Sequence, residues 1–346
     1  MTMFEAKPKA RRLGWAVVGC GWVARDYVIP ALQGAGNARL VALCDANAEA
    51  LLRIPADDVA RYTSLGSVLA DKDVEAVYIA TPNHLHAAMT EACAAAGKHV
   101  LCEKPMAVTP RDGLRMVSAC QRAGVHYATA FDQRHHAAHR KLRTLVKEGA
   151  LGTVTQARIH YACWLPADWT KDNWRIDPEQ AGGGAMIDLA PHGLDLLEVL
   201  LGDEWASLTA MTQRRVHDYA VDDGAVLMGQ FKSGTLGLLQ VAYNCPDAYP
   251  RRTLELIGTK ARALAYKTMG QTPGGSLSLT DARTGEETLL FLSPEEDRSP
   301  FLNQVEAFST CVLEGRPQPF APERDVRLVG LLTQATQDGK AFPSCH

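Results

Sequence analysis

Asp188 and His192 stand four residues apart in the run GGGAMIDLAPHGLDLLEVLLG (182–202). A helix makes a turn every ~3.6 residues, so positions i and i+4 project from one face. A carboxylate and an imidazole there could pass a proton between them or act together on one substrate hydroxyl. Glycines 182–184 let the chain come close to a ligand before the helix starts, and Leu194, Leu197 and Leu201 supply an apolar stripe to anchor it. Taken alone, the pair also fits a buried histidine hydrogen-bonded to Asp188.

Two motifs upstream strengthen the chemical reading. In LGWAVVGCGWVA (13–24) an apolar strand runs into Gly19, Gly21, Trp22, Val23 and Ala24, the G-x-G-x-x-G/A pattern of a dinucleotide-binding turn. Gly19 permits the tight turn, Gly21 lets a pyrophosphate approach the backbone, and the helix N-terminus favours its charge. A second strand, 39–44, ends in Asp45, 24 residues past Gly21, where a carboxylate accepts from the adenosine ribose hydroxyls and repels a 2′-phosphate. The cofactor expected is NAD, with NADP disfavoured. The second motif is a pair of strands ending in polar residues: Thr81, Asn83, His84 and His86 after 77–80, and Glu103 and Lys104 before Pro105. In an open parallel sheet ligands bind outside the carboxyl ends of strands, so both sets would face the crevice. Lys104 could hold a substrate oxygen and share its proton. It could also be a surface lysine in a turn fixed by Pro105.

With these motifs in order, the chain resembles the Gfo/Idh/MocA family of glucose–fructose oxidoreductase and inositol dehydrogenase. The resemblance rests on Gly19–Ala24, Thr81-Pro-Asn83-x-x-His86, Glu103-Lys104-Pro105, Trp174-Arg175 and Gly183-Gly184-x-x-x-Asp188-x-x-x-His192, and spans residues 12–337. It implies a Rossmann domain followed by a large open, mainly antiparallel sheet, and hydride transfer between a nicotinamide and a sugar or polyol carbon. It makes Lys104, Asp188 and His192 the catalytic set. Thr81, Asn83, His86, Glu103, Trp174 and Arg175 become cofactor contacts beside the glycine loop and Asp45. One departure is Phe301, near which many members carry a tyrosine, and it is left out of the site.

The 346 residues, 47% hydrophobic and 22% charged, suffice for two domains. A net charge of -3 gives no basic footprint for nucleic acid. No apolar run approaches the ~20 residues of a membrane span. The N-terminal twelve residues lack the apolar core of a signal peptide and read as a frayed arm. Nine cysteines, including Cys345, follow no CxxC spacing, so a reduced, cytoplasmic setting is expected.

Up to about residue 150 the pattern alternates strand and helix, which implies a parallel sheet with right-handed crossovers. Beyond Gly152, period-two stretches at 153–161, 207–216, 225–231, 235–243, 253–257 and 276–280 suggest the antiparallel sheet. One face should pack on helices at 183–201 and 301–314. The other would be covered by a second subunit, giving a homodimer or homotetramer. The expected division is a Rossmann domain at 12–132, a substrate and oligomerisation domain at 133–322, and a helix at 323–346 returning to the first.

Pocket residues that select the substrate are harder to place. Arg134, His135, Trp164, Trp169 and Asp172 are candidates, since aromatic faces stack on sugar rings and carboxylates accept from hydroxyls. His135 and His139 have an i,i+4 metal-like spacing but no obvious third ligand, and no metal is expected. Two rival readings remain. One is an NAD-dependent glycoside hydrolase that works by transient oxidation and elimination. The other is a non-catalytic dinucleotide-binding regulator, which would be expected to have lost Lys104 or His192.

Overall fold

The computed structural model describes residues 11–169 and 173–338. Asp172, Cys345 and the last eight positions of the expected C-terminal helix lie outside the described residues. β1 (Leu13–Val18), β2 (Ala38–Cys44), β3 (Ala60–Tyr62), β4 (Ala76–Ile79), β5 (His99–Glu103) and β6 (Tyr127–Ala130) form a parallel sheet in the order β3-β2-β1-β4-β5-β6. This is the doubly wound Rossmann order, whose direction of winding switches between β1 and β4.

β1 shows why its sequence is apolar at nearly every position. Successive side chains point to opposite faces of a strand, and both faces here are covered. Leu13, Trp15 and Val17 pack toward the helical stretch after Gly21 and the helix Pro300–Leu313. Ala16 and Val18 pack toward the helices His86–Ala95 and Pro110–Ala123.

β7 (Val154–Ala162), β8 (Trp205–Gln213), β9 (Gly224–Phe231), β10 (Leu236–Ala242), β11 (Arg252–Gly258), β12 (Ala261–Tyr266), β13 (Ser276–Asp281) and β14 (Glu287–Leu290) make a second sheet. Its order is β14-β13-β12-β11-β7-β10-β9-β8, antiparallel except where β7 meets β10. The helix Ala185–Leu201 lies on one face, with Leu194, Leu196 and Leu197 fully buried. The contact is so close at Gly193 that a Cβ there would stand 2.5 Å from Leu239 Cδ2. Trp205 Nε1 donates to Leu194 O at 3.1 Å and pins the helix along its length. The opposite face presents a row formed by Leu238 on β10 and Met228 on β9, with Met211 on β8 alongside, all exposed. Among the described residues no helix is long and apolar enough to cross a membrane.

Three features differ from the sequence reading. The helix expected at 301–314 against the large sheet packs instead on the parallel sheet, where Trp15 Nε1 donates to Ser309 Oγ at 3.0 Å and Phe301, Val305 and Phe308 are buried. Its apolar periodicity marks a buried face but not the surface that buries it. The helix Pro322–Asp338 touches both units, packing on Pro110–Ala123 and β6 and also on Ala185–Leu201 and β8. The strands β3, β12 and β14 are absent from the sequence reading: β3 and β14 have only three and four residues, and the buried positions of β12 are alanines, with no large apolar side chain to mark the alternation.

Candidate active site

A cleft opens where β1, β4 and β5 end and the helix Ala185–Leu201 begins. Trp22, Val23, Thr81, Glu103 and Lys104 line one side, and Trp174, Arg175, Asp188, His192, Tyr161 and Gln271 the other. Lys104 follows β5 directly, in a cis peptide bond to Pro105. Its Nζ donates to Asp188 Oδ1 at 2.5 Å and to the Asp188 carbonyl at 2.8 Å. Two of the three ammonium N–H groups are thus held, and one is left for a ligand.

Asp188 is the hub of this arrangement. Its Oδ2 accepts from Tyr243 OH at 2.7 Å, and Arg175 Nε stands 4.0 Å away. Burial alone would raise the carboxyl's pKa. The Lys104 and Arg175 charges, with the bonds from Lys104 and Tyr243, outweigh that and hold it well below the carboxylate range. Asp188 therefore stays ionised.

The two residues on the helix face do not bond to each other. Asp188 turns to Lys104, while His192 Nδ1 is buried without a hydrogen bond among the described residues and stands 3.4 Å from Asp132 Oδ1. Burial, and then the Lys104 charge, lower the imidazole pKa to about 3, so it is neutral across the physiological range. The edge of the Tyr161 ring packs on it at 5.5 Å between centroids.

The cofactor loop tests well against a dinucleotide. Gly19 has φ +89°, and a Cβ there would lie 2.6 Å from Ala80 O, so only glycine keeps β1 and β4 this close. At Gly21 a Cβ would point into open space, which leaves room for a pyrophosphate beside the helix start. Ala24 is fully buried and seats the helix on the sheet. Asp45, just past β2, reaches this loop, its carboxylate accepting from Cys20 N at 2.7 Å and Asn47 N at 2.8 Å. Trp22 Nε1 is buried with no hydrogen-bond partner among the described residues. These residues fit the ribose and pyrophosphate of such a cofactor. Arg175 stacks its guanidinium over the Trp174 ring at 4.5 Å, with Trp22 and Trp169 at 5.8 and 5.7 Å, closing one end of the cleft.

Several expected site residues serve elsewhere. His86 is fully buried, with its ring nitrogens 3.0 Å from Pro105 O and 3.0 Å from Thr81 O, so it ties the two polar loops together and has no face for a cofactor. Asn83 reaches the cleft but spends its amide on Ala181 O at 2.8 Å. Glu103 Oε1 accepts from Tyr78 OH at 2.6 Å. Arg134 and His135 lie away from the cleft, and Arg134 is tied up in buried ion pairs with Asp195 and Asp325. Trp164 is bridged to Asn244 and packs on His217, outside the cleft lining. His139 bonds to Gln133 O and Thr268 Oγ1. Phe301 does line the cleft, beneath Tyr27.

Residues 13–131 match the family described as oxidoreductases with an NAD-binding Rossmann fold, and 139–264 match the Gfo/Idh/MocA C-terminal domain. A 1,5-anhydro-D-fructose reductase of Ensifer adhaerens is 32% identical over 314 residues, 90% of this chain and 91% of that one. The chain belongs to the Gfo/Idh/MocA oxidoreductases. Another relative, a myo-inositol 2-dehydrogenase of Thermotoga maritima, is 27% identical over 80% of both chains. Among solved structures, the aldose-aldose oxidoreductase of Caulobacter crescentus complexed with glycerol superimposes with a TM-score of 0.84 at 27% identity, covering 95% of this chain and 98% of that one.

In this Gfo/Idh/MocA chain, sequence reasoning missed Asp132, Tyr161, Tyr243 and Gln271. Tyr161 and Tyr243 sit in or just after strands where alternation gives two choices of face. In the fold both turn to the helix Ala185–Leu201, Tyr161 onto His192 and Tyr243 onto Asp188. Gln271 follows β12 in a loop that no motif marks.

Proposed function

We propose that this protein transfers a hydride between a nicotinamide dinucleotide and a secondary alcohol or ketone carbon of a sugar, inositol or related polyol. The observation that carries this reading is the Lys104 ammonium, clamped on Asp188 and opening into the same cleft as His192 beside the glycine loop. Relatives spanning most of the chain bear reductase and dehydrogenase names for such substrates, which favours hydride transfer over the glycoside hydrolase alternative. The presence of both Lys104 and His192 in the cleft disfavours a purely regulatory role.

Bound nicotinamide supplies the hydride chemistry. Lys104 directs its free N–H at the substrate oxygen and stabilises negative charge as it develops there. His192, neutral, takes the hydroxyl proton during oxidation and returns it during reduction. Asp188, ionised throughout, holds Lys104 in place, a role distinct from proton exchange with His192. Arg175 and Trp174 wall the cleft toward the cofactor, and Trp169 stands nearby. We assign NAD as the cofactor on the strength of Asp45, whose carboxylate would meet a 2′-phosphate with like-charge repulsion.

A panel of sugars, inositols and anhydro-sugars with either cofactor, read by absorbance of the reduced nicotinamide, tests the reading. NAD should bind more tightly than NADP by at least ~1.4 kcal/mol, or about tenfold. Asp45→Ser should narrow the gap from both sides. Equal binding of the two by the unaltered protein would refute the role of Asp45, and sugar release from a glycoside with no net cofactor reduction would refute the reaction. The exposed Leu238–Met228 face supports assembly through the large sheet. Light scattering should then give the mass of a dimer or tetramer, and a monomer would exclude it.

A further inference from the structure

Asp132 opens the turn Asp132–His135 directly after β6, and its side chain is almost fully buried. One oxygen, Oδ2, accepts from Gln133 Nε2 at 2.8 Å, and that amide is itself tied to Gly270 O at 2.7 Å. The carboxyl is therefore fixed from behind, with Oδ1 left toward His192 Nδ1 at 3.4 Å. That nitrogen is buried and has no hydrogen bond among the described residues. A buried polar nitrogen is costly without a partner, and the Asp132 carboxylate oxygen beside it is the complement it lacks. Hydrogen bonds in a catalytic site are commonly long before substrate binds and shorten afterwards.

Resting on the proposed reaction, we infer that Asp132 is the positioning residue for His192. Its Oδ1 accepts the Nδ1 proton, which leaves Nε2 as the acceptor for the substrate's hydroxyl proton. In oxidation the O–H bond breaks and its proton passes to Nε2. The C–H electron pair departs with hydride to the nicotinamide, and the resulting imidazolium is paired with the Asp132 carboxylate. An imidazole so strongly disfavoured as a cation by burial and by Lys104 needs such a partner in order to act as a base.

The ionisable groups around Asp132 are Tyr78 on β4, Glu103 and Lys104 at the end of β5, Tyr161 on β7 and His192 on the helix. Burial, then Glu103, push Asp132 up to about 7, against the pull of Lys104 and the bond from Gln133. Below that value the carboxyl carries a proton and donates it to Nδ1, which places the imidazole proton on Nε2 and removes the base. Above it the productive tautomer forms. Oxidation should therefore accelerate as pH rises through about 7.

Asp132→Asn keeps the size but presents an amide that can donate to Nδ1 at every pH. It should lower kcat for oxidation by ~10²-fold, shift KM by less than about threefold and abolish the rise near neutrality, while NAD binding is retained. Asp132→Glu should recover part of the turnover and restore a pH-dependent limb. In the unaltered enzyme, histidine nitrogen chemical shifts should report Nδ1–H for His192 above the midpoint of that limb, a readout that does not depend on any variant folding. An Nε2–H tautomer there would overturn the inference. So would an Asp132→Asn enzyme with wild-type kcat and pH profile alongside an inactive His192→Ala. If His192→Ala itself turned over normally, the proposed reaction would fall, and this inference with it.

Discussion

Replacing His192 by Ala should lower turnover by ~10²–10⁴-fold and leave NAD affinity unchanged. The imidazole lines the cleft from the middle of the helix Ala185–Leu201 and belongs neither to the glycine loop nor to the loop of Asp45, so truncation removes a proton acceptor and leaves those dinucleotide contacts in place. It is neutral because burial and Lys104 make its cation costly, so its own protonation does not limit the base near neutral pH and the tautomer set by Asp132 does. Lys104→Met should cost a comparable factor by a different route, since the developing negative charge on the substrate oxygen would lose its cation. The two losses should not add in the double variant, because both groups act on one oxygen. Steady-state turnover and fluorescence titration of NAD on each protein separate chemistry from binding. Wild-type turnover in His192→Ala would remove it from the mechanism.

Arg134→Met should destabilise the fold by about 3 kcal/mol or more, with the remaining folded protein still active. The guanidinium binds Asp195 with Nε at 2.8 Å and Nη2 at 2.5 Å, and Asp325 at 3.2 Å. It lies between the Phe131 and Phe320 rings, at 4.8 and 4.1 Å. Asp195 is fully buried, and burial would raise its carboxyl's pKa, yet Arg134 and Arg324 together hold it below the usual range. With Arg134 gone, a buried carboxylate keeps only Arg324, which is why the loss should sit at the lower end of that for an orphaned ion. Urea unfolding, with turnover measured on the native fraction, checks both halves. Undiminished stability with lost substrate affinity would return Arg134 to the cleft.

The parts legible in the sequence share a property: each depends on local geometry. Gly19 declares itself because the turn tolerates little else, Gly21 because a pyrophosphate needs the room beside it, and Asp188 and His192 because helical spacing is fixed. The strand ends at Thr81 and Lys104 follow from the parallel pattern. What could not be read depends on pairing across long separations. Arg134 looked like a polar residue available for substrate, and only Asp195, 61 residues later, shows that its charge is already matched. His86 looked like a cofactor contact, and only the fold brings Pro105 and Thr81 carbonyls to both its ring nitrogens. Asp132 sits just past a short strand, with nothing in its neighbours to announce His192. Even the i,i+4 pair was half understood: the shared face is real, but each side chain leans to a different partner.

The Asp188 carboxylate joins Lys104 of the first unit to Tyr243 of the second. This ion pair makes the two halves of the molecule non-interchangeable at one point. Grafting the strands and loops of a relative onto this nucleotide-binding half could alter what the cleft accepts, provided the donor also brings an acid at position 188 and a phenol at 243. A graft lacking them would strand the lysine's charge in a half-buried cleft with nothing to aim it. Recombination among such enzymes is thereby free in the walls and constrained at the seam.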